Sequence, residues 1–345
     1  MKWKIIENLW IKILRLIKLI KLEKISIIIT TFNRSDNVIE IIKLLNKQLN
    51  FSCDLEIIIC DSNSINKLKI INHIKNYNSL KVKYLNLKKN HQGYKRNKGA
   101  SFSTGNYLIF LDDDCFPEIN FLSNYYKKLK LNKNRQIYCG SVEYVNKPLI
   151  KNLIKFRNNR SIKFEDNRNK NLAVKNFVTM NMGFNKHLFR NYNKFFDLRF
   201  NYYGFEDFEL AYRLKNRGFN INIIKSEILH KDFRNFKTFL TKFYFMGRFG
   251  IKDICQININ AAKKSIFYKI YKNKIVINLL KLPMINLVLY MIEKSIVYLE
   301  SKFHFYLPPI YKSGIFIAFI RGLKNQNNDS KDIKIYNNNL KNWYE

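Results

Sequence analysis

Several things are scarce in this 345-residue chain, and each scarcity narrows what it can be. Acidic residues are few: 26 Asp and Glu stand against 62 Lys and Arg, a formal net charge of +36. Such an imbalance alone suggests nucleic acid or an anionic membrane as partner. The charge is scattered among abundant Asn and Ile, however, as AT-rich codons also produce. No basic stripe with base-stacking aromatics on a recognisable module accompanies it, so nucleic acid is not the expected partner. Cysteines are five (Cys53, Cys60, Cys115, Cys139, Cys255), an odd number without a CxxC pair. Neither a disulfide framework nor a zinc site is signalled, and a reducing, cytoplasmic setting is expected. The 11 glycines form neither GxGxxG nor GxxxxGKS, so any phosphate must be held without the common glycine-rich loops.

Long apolar runs are also missing. Residues 1–23 place Lys4, Lys12, Arg15 and Lys18 within an otherwise apolar helical pattern, which reads as an amphipathic interfacial helix; the alternative is a helix packed on the domain. The segment has no unbroken apolar centre and no small-residue cleavage site, so it does not read as a signal peptide. Near the other end, the apolar stretch Leu282 to Ile292 is bounded by Lys281 and Glu293, short of the roughly twenty residues a span needs. Phe303 to Ile320 is expected to be broken by Pro308, Pro309 and Lys312. Basic flanks and many Tyr and Phe suggest peripheral attachment to the anionic inner face of the cell membrane; a helical cap on the domain is the alternative.

What is present is dominated by one stretch, YLIFLDDDCFP from Tyr107 to Pro117. A buried parallel strand ending in three carboxylates delivers charge to the carboxyl edge of an α/β sheet, where ligands bind. Strand alternation puts Asp112 and Asp114 on one side and Asp113 on the other, and a same-side pair suits a hard divalent cation. Further strands are read at Lys24–Ile29, Leu55–Cys60 and Val82–Leu87, with helices at about Asp36–Leu49 and through Arg96, Asn97 and Ala100. Alternation of strand and helix predicts a mostly parallel sheet whose strands open into polar loops on one edge. Lys95 or Arg96 could supply positive charge for phosphate. Asp61 could accept a hydrogen bond from a base or ribose, or merely form a turn.

Asn120 to Leu131 reads as helix, Ile137 to Val145 as strand, residues 146–175 as a loop with a helical piece, and NFVTMNMGF from Asn176 as a strand. YGFEDFELAYRL, Tyr203 to Leu214, reads as a loop and then a helix with Glu206 and Asp207 in its first turn. The helix dipole there should favour ionised carboxylates fit to accept a proton; helix starts are often acidic without chemistry as well. His230 ends the next strand, as a metal ligand or as a polar strand end. Beyond Asp232 the chain reads as helical and aromatic.

The series TTFNR, Asp61, GYKRNKGASFSTGNYLIFLDDD, NMGF and GFEDFEL resembles a family-two glycosyltransferase of the GT-A fold, with a galactosyltransferase-like ED motif region. The resemblance covers roughly residues 24–232, between helical extensions at 1–23 and 233–345. It implies an inverting transfer from a nucleoside-diphosphate sugar to a hydroxyl of a glycan or lipid-linked acceptor. It gives Asp207 the role of base, with Glu206 beside it. Donor contacts fall to Thr30, Thr31, Phe32, Arg34, Asp61, Arg96, Asn97, Asp112 and Asp113, and acceptor contacts to Asn181, Gly204 and Phe205. A Mg or Mn ion is implied on Asp114 and Asp112, with His230 as a further ligand. The turn reading DSNS departs from the family's DDGS-type pattern. A catalytically inactive scaffold of this fold is the alternative function.

Overall fold

The computed structural model of the protein describes residues 23–48, 53–77, 80–131, 135–161, 163–164, 171–188, 194–231, 234–302 and 305–326. The amphipathic segment expected at 1–23 lies, save for its last residue, outside these. Strands β1 (Lys24–Thr31), β2 (Asp54–Asp61), β3 (Lys81–Asn86) and β4 (Tyr107–Asp112) alternate with helices α1 (Ser35–Asn46), α2 (Lys67–Ile74) and α3 (Gln92–Phe102). Strands β1, β2 and β4 are near-continuous apolar runs because both their faces are covered. Val38, Ile41, Ile42 and Leu45 of α1 repeat at helical spacing and pack on one face. Helix α3 lies on the other face, so close that Gly99 faces the Ile28 side chain with no room for a Cβ.

After β4 come a short β5 (Cys115–Pro117), α4 (Phe121–Leu129), β6 (Gln136–Tyr144), α5 (Lys151–Asn158), β7 (Asn181–Asn185), α6 (Glu206–Asn216) and β8 (Asn220–His230). The eight strands form one sheet in the order β3-β2-β1-β4-β7-β6-β8-β5. Strands β1 to β4 are mutually parallel and β6 runs parallel to β8, whereas β7 is antiparallel to both β4 and β6, and β5 to β8. The run expected as a strand from Asn176 forms one only over its last residues, following a short 3-10 turn at Val174–Asn176.

From residue 236 the described chain is helical: α7 (Phe236–Phe245), a π-helical turn at Met246–Gly250, α8 (Ile251–Ile257), α9 (Ile259–Lys264), α10 (Ile266–Tyr271), α11 (Lys274–Lys281), α12 (Ile285–Lys302) and α13 (Pro308–Lys324). Pro308 and Pro309 do not break this last segment but begin its helix, because the first turn leaves its N–H groups unbonded and a proline loses nothing there. The break lies instead between α11 and α12, where Met284 takes a left-handed φ of 57°. Tight backbone contacts join α13 to the π turn: Gly247 abuts the Phe319 carbonyl and Gly322 the Tyr244 carbonyl.

Candidate active site

Strand register assembles the edge where chemistry was expected. Thr30 pairs with Asp112, Thr31 with Asp61, and Asp61 with Asn86, so four parallel strands end at one level. Not every polar group there faces outward. Asp61 is fully buried: one carboxylate oxygen accepts from the Ser64 N–H (3.2 Å) and hydroxyl (2.6 Å), the other from the Tyr84 hydroxyl (2.5 Å). In this structure Asp61, implied to hold the base, braces the loop and does not line the cavity. Thr30 and Thr31 are also buried, their hydroxyls turned to Asp112 (3.4 Å) and Asp113 (2.8 Å). Asn33, at a left-handed φ of 56°, ties its loop to the next, its N–H donating to the Ser64 hydroxyl at 2.7 Å.

The acidic triplet does not alternate as a strand would. Strand β4 ends at Asp112, and Asp113 and Asp114 form a turn, so period-two geometry stops at the first carboxylate. The expected pairing of Asp112 with Asp114 is corrected accordingly. Arg34 Nη1 instead joins Asp113 (3.0 Å) to Asp114 (2.8 Å), while Asp112 accepts from Arg96 Nη2 at 2.7 Å. Burial pushes the Asp113 carboxyl above the ordinary carboxylate range against the pull of Arg34. Behind them Lys95 is fully buried, donating to the Thr31 carbonyl (3.1 Å) and Asn90 (3.0 Å); burial pulls its pKa down to about 8, opposed chiefly by Asp113 and Asp61.

Arg96 is the hinge of the site. Nearly buried, and over the Phe196 ring at 5.2 Å, it reaches Asp112 with Nη2 and comes within 4.0 Å of Asp207 Oδ1 with Nη1. Thr179 holds Asp207 from the other side, its hydroxyl at 2.7 Å and its N–H at 3.2 Å. Glu206 accepts from the Gly204 N–H at 2.9 Å. Two consecutive left-handed residues, Gly204 (φ 111°) and Phe205 (φ 71°), turn the chain into α6, a conformation costly for a phenylalanine and held by surrounding packing. The helix dipole was expected to keep Glu206 and Asp207 ionised. Burial wins instead: desolvation raises both, helped in Glu206 by its Asp207 neighbour and opposed in Asp207 by Arg96. A carboxylate raised above its ordinary range yet held near a cation is a fit proton acceptor.

Asp114, Cys115 and His230 form a compact group of metal-ligating types, brought together by the pairing of β5 with β8, with His230 Nε2 at 3.5 Å from Asp114 Oδ1. A carboxylate beside an imidazole fits a Mg or Mn ion that retains other oxygen ligands; the thiol adds nothing to such a hard cation. Asp112 stands outside this group, on Arg96.

Two further expectations are corrected. Asn97 was expected to meet the donor, but its amide is spent on the backbone of Phe196, donating to the carbonyl (2.8 Å) and accepting from the N–H (2.9 Å). Asn181 was expected to meet the acceptor, but it is fully buried in β7, accepting from the Tyr125 hydroxyl (2.7 Å) and donating to the Ser141 and Ser226 carbonyls. Both knit the core. Arg34, Arg96, Asp112, Asp113, Asp114, Gly204, Phe205, Glu206, Asp207 and His230 all line one cavity of about 1380 Å³; Thr30, Thr31, Phe32, Asp61, Asn97 and Asn181 do not. The sequence reading missed Thr179, which holds the acidic loop's carboxylate, and His91. The latter caps α3 by accepting from the Tyr94 N–H (3.1 Å) and donates to the Phe200 carbonyl (2.6 Å). The cavity runs on between α5, α7, α10 and α13, helices that no motif or spacing connects with the acidic edge.

Residues 26–192 match the family model for glycosyl transferase family 2. The poly(ribitol-phosphate) beta-N-acetylglucosaminyltransferase TarP of Staphylococcus aureus (strain N315) is 33% identical over 115 residues, 33% of this chain. The match spans only 35% of that relative's length. The mannosyltransferase PcManGT from Pyrobaculum calidifontis, solved in complex with GDP-Man and Mn2+, superposes with a TM-score of 0.54 at 12% identity, over 89% of this chain and 88% of that one. The S. aureus TarS 1-349 structure gives 0.49 at 14% identity, over 88% and 89%. The likeness to PcManGT bears out the GT-A fold, a mixed α/β sheet flanked by helices.

Proposed function

We propose, from the match of residues 26–192 to the family model for glycosyl transferase family 2, that this chain moves a sugar from a nucleoside-diphosphate donor to a hydroxyl of a glycan or lipid-linked acceptor, inverting the anomeric carbon. The observation that carries this reading is Arg96, which spans Asp112 and Asp207 within one cavity and so couples a donor-side carboxylate to a base. Asp207 takes the proton of the acceptor hydroxyl while the oxygen attacks the anomeric carbon and the bond to the diphosphate breaks. A single displacement of this kind inverts configuration. Thr179 keeps Asp207 aimed, and Glu206 stiffens the turn that presents it. Arg96 draws negative charge from the leaving diphosphate and favours the ionised form of Asp207 until the proton arrives. Asp114 and His230 would hold a Mg or Mn ion, which would supply Lewis-acid stabilisation of the leaving oxygens.

We also place the protein peripherally on the inner face of the cell membrane. Supporting this are the apolar side chains that α11, α12 and the break between them leave in solvent, among them Ile275 (78% exposed), Met284 (72%) and Met291 (60%), between Lys274 and Lys302. Among the described residues no single helix is long and apolar enough to cross a membrane; α11 and α12 together are, but they meet at 108°. Release from membranes by high salt without detergent supports peripheral attachment, and retention until detergent is added refutes it.

The test of the transferase reading is a panel of UDP-, GDP- and dTDP-sugars scored by nucleoside diphosphate release, with and without chelator. Release from at least one donor, lost with chelator, is the expected result. No release from any donor refutes the reading, and release indifferent to chelator refutes its metal.

A further inference from the structure

The cavity is divided by charge. All six carboxylates that line it, Asp112, Asp113, Asp114, Asp197, Glu206 and Asp207, come from the sheet edge, the loop at Asp197 and the start of α6. The remainder of the wall, from β6, α5 and the helices after β8, contributes no carboxylate. It contributes cations: Arg157 and Arg160 of α5 and its end, Lys242 of α7, Lys264 and Lys269 around α10, and Lys312 of α13. Among the described residues, Arg160, Lys264, Lys269 and Lys312 have no carboxylate at ion-pairing distance.

Two contacts fix where this arm starts. Arg157 lies over the Tyr144 ring at 3.9 Å, and that ring packs on His230 at 4.9 Å. Lys242 lies over the Tyr203 ring at 5.6 Å, one residue before the Gly204–Asp207 turn. Arg157 and Lys242 therefore stand beside the metal-ligating group and the turn that carries Asp207, and the cations of α10 and α13 line the same cavity. A donor diphosphate is served at the sheet edge. Arg160, Lys264, Lys269 and Lys312, spread over several elements of the remaining wall, suit a ligand with repeated negative charge.

We infer that the acceptor is a polyanionic chain, its negative groups lying along Arg157, Arg160, Lys242, Lys264, Lys269 and Lys312 while its reacting hydroxyl reaches Asp207. This rests on the transferase reading for the word acceptor, but the anion site itself can be tested apart from it. Two charge sources fit the same cations, a phosphodiester backbone and a uronate backbone.

The experiment measures binding of labelled poly(glycerol phosphate) and polygalacturonate oligomers, with neutral dextran as reference, in the presence of saturating UDP and GDP. Because the chain carries +36 overall, the comparison is between two double charge reversals. Lys269→Glu with Lys312→Glu alters the arm; Lys127→Glu with Lys128→Glu alters exposed positions on α4, far along the chain and outside the cavity wall. The expected result is binding of one or both anionic oligomers but not dextran, weakened on the order of tenfold by the arm pair and little by the α4 pair. Phosphate-only or uronate-only binding identifies the charge source. Equal loss in both variants, displacement by the nucleotides, or no binding of either oligomer overturns the proposal. Wild-type donor hydrolysis without acceptor separates the two readings: hydrolysis with no oligomer binding sinks the anion arm alone, and oligomer binding with no nucleotide release from any donor sinks the transferase reading alone.

Discussion

Replacing Arg96 by methionine tests the site at its centre, since the variant keeps apolar volume over Phe196 and removes only the cation. At 4.0 Å, with an effective dielectric near 20, a unit charge on Arg96 favours ionised Asp207 by about 4 kcal/mol. A third of the Asp207 side chain is open to the cavity, and screening there halves the figure to about 2 kcal/mol. On the acid limb of the pH–rate profile that is roughly a thirtyfold loss of the ionised base. The direction follows from the signs: burial raises the Asp207 pKa, Arg96 lowers it, and without Arg96 the carboxylate stays protonated to higher pH. Nucleoside diphosphate release measured across pH should therefore show the acid limb of Arg96→Met moved upward, with part of the loss recovered at alkaline pH. A purely donor-binding Arg96 would instead raise the donor KM at every pH and leave the limb where it was. That outcome refutes the coupling between Arg96 and Asp207.

Thr179→Val removes the hydroxyl donor but keeps the N–H, and should cost about 1.5–3 kcal/mol of support for ionised Asp207, read as a drop in kcat with donor KM unchanged. Asp114→Ala should abolish chelator-sensitive donor binding by calorimetry, whereas Asp207→Asn should spare binding and lower transfer by about 10² to 10⁴; equal effects on binding would contradict the division of roles. Gly204→Ala meets both a left-handed φ of 111° and the Met246 side chain 2.5 Å from its Cβ, so denaturant unfolding should show a loss of about 1–3 kcal/mol. His91 is held as a neutral ring, and burial lowers its pKa from 6.5. An unfolded imidazole takes up its proton first as pH falls, so this contribution to stability is complete above 6.5 and shrinks below it; the fall in Tm between neutral and mildly acid pH should be smaller in His91→Gln, and an equal fall rules the ring out.

Legibility in the sequence followed the physics of each segment. Strands β1, β2 and β4 were readable because a doubly covered strand must be apolar along its length, and their polar ends follow from where the cover stops. Helix α6 was readable from Leu210, Ala211 and Leu214 at helical spacing. The carboxylate pairing was not, because alternation holds only while the backbone stays extended and the strand ends at the first of three aspartates. Asn97 and Asn181 show a second limit: an amide suits a backbone peptide and a sugar hydroxyl equally, and only the fold decides which one it meets. Asp61 shows the same limit, its oxygens taken up here by Ser64 and Tyr84.

The family match ends at residue 192, before the proposed base Asp207, and the turn that carries Asp207 depends on parts of the chain later still. Met246, at the start of the π turn, fills the space a Cβ on Gly204 would take, and Gly250 at its end lets the Tyr203 and Gly204 carbonyls approach. The π turn is in turn clamped by α13 through Gly247 and Gly322, whose neighbours are backbone carbonyls that cannot move aside. A π turn is a strained insertion kept where packing over-determines it. The left-handed Phe205 is strained as well, with its ring packed near Phe267 of α10. The C-terminal helices are therefore not a separable appendage: they are the packing that holds two costly backbone conformations next to Glu206 and Asp207. Deleting them removes the geometry of the proposed base while leaving the donor edge, built from β1 to β4, α3 and the loops that carry Arg34, Asp113 and Asp114, without a direct loss of its own bonds.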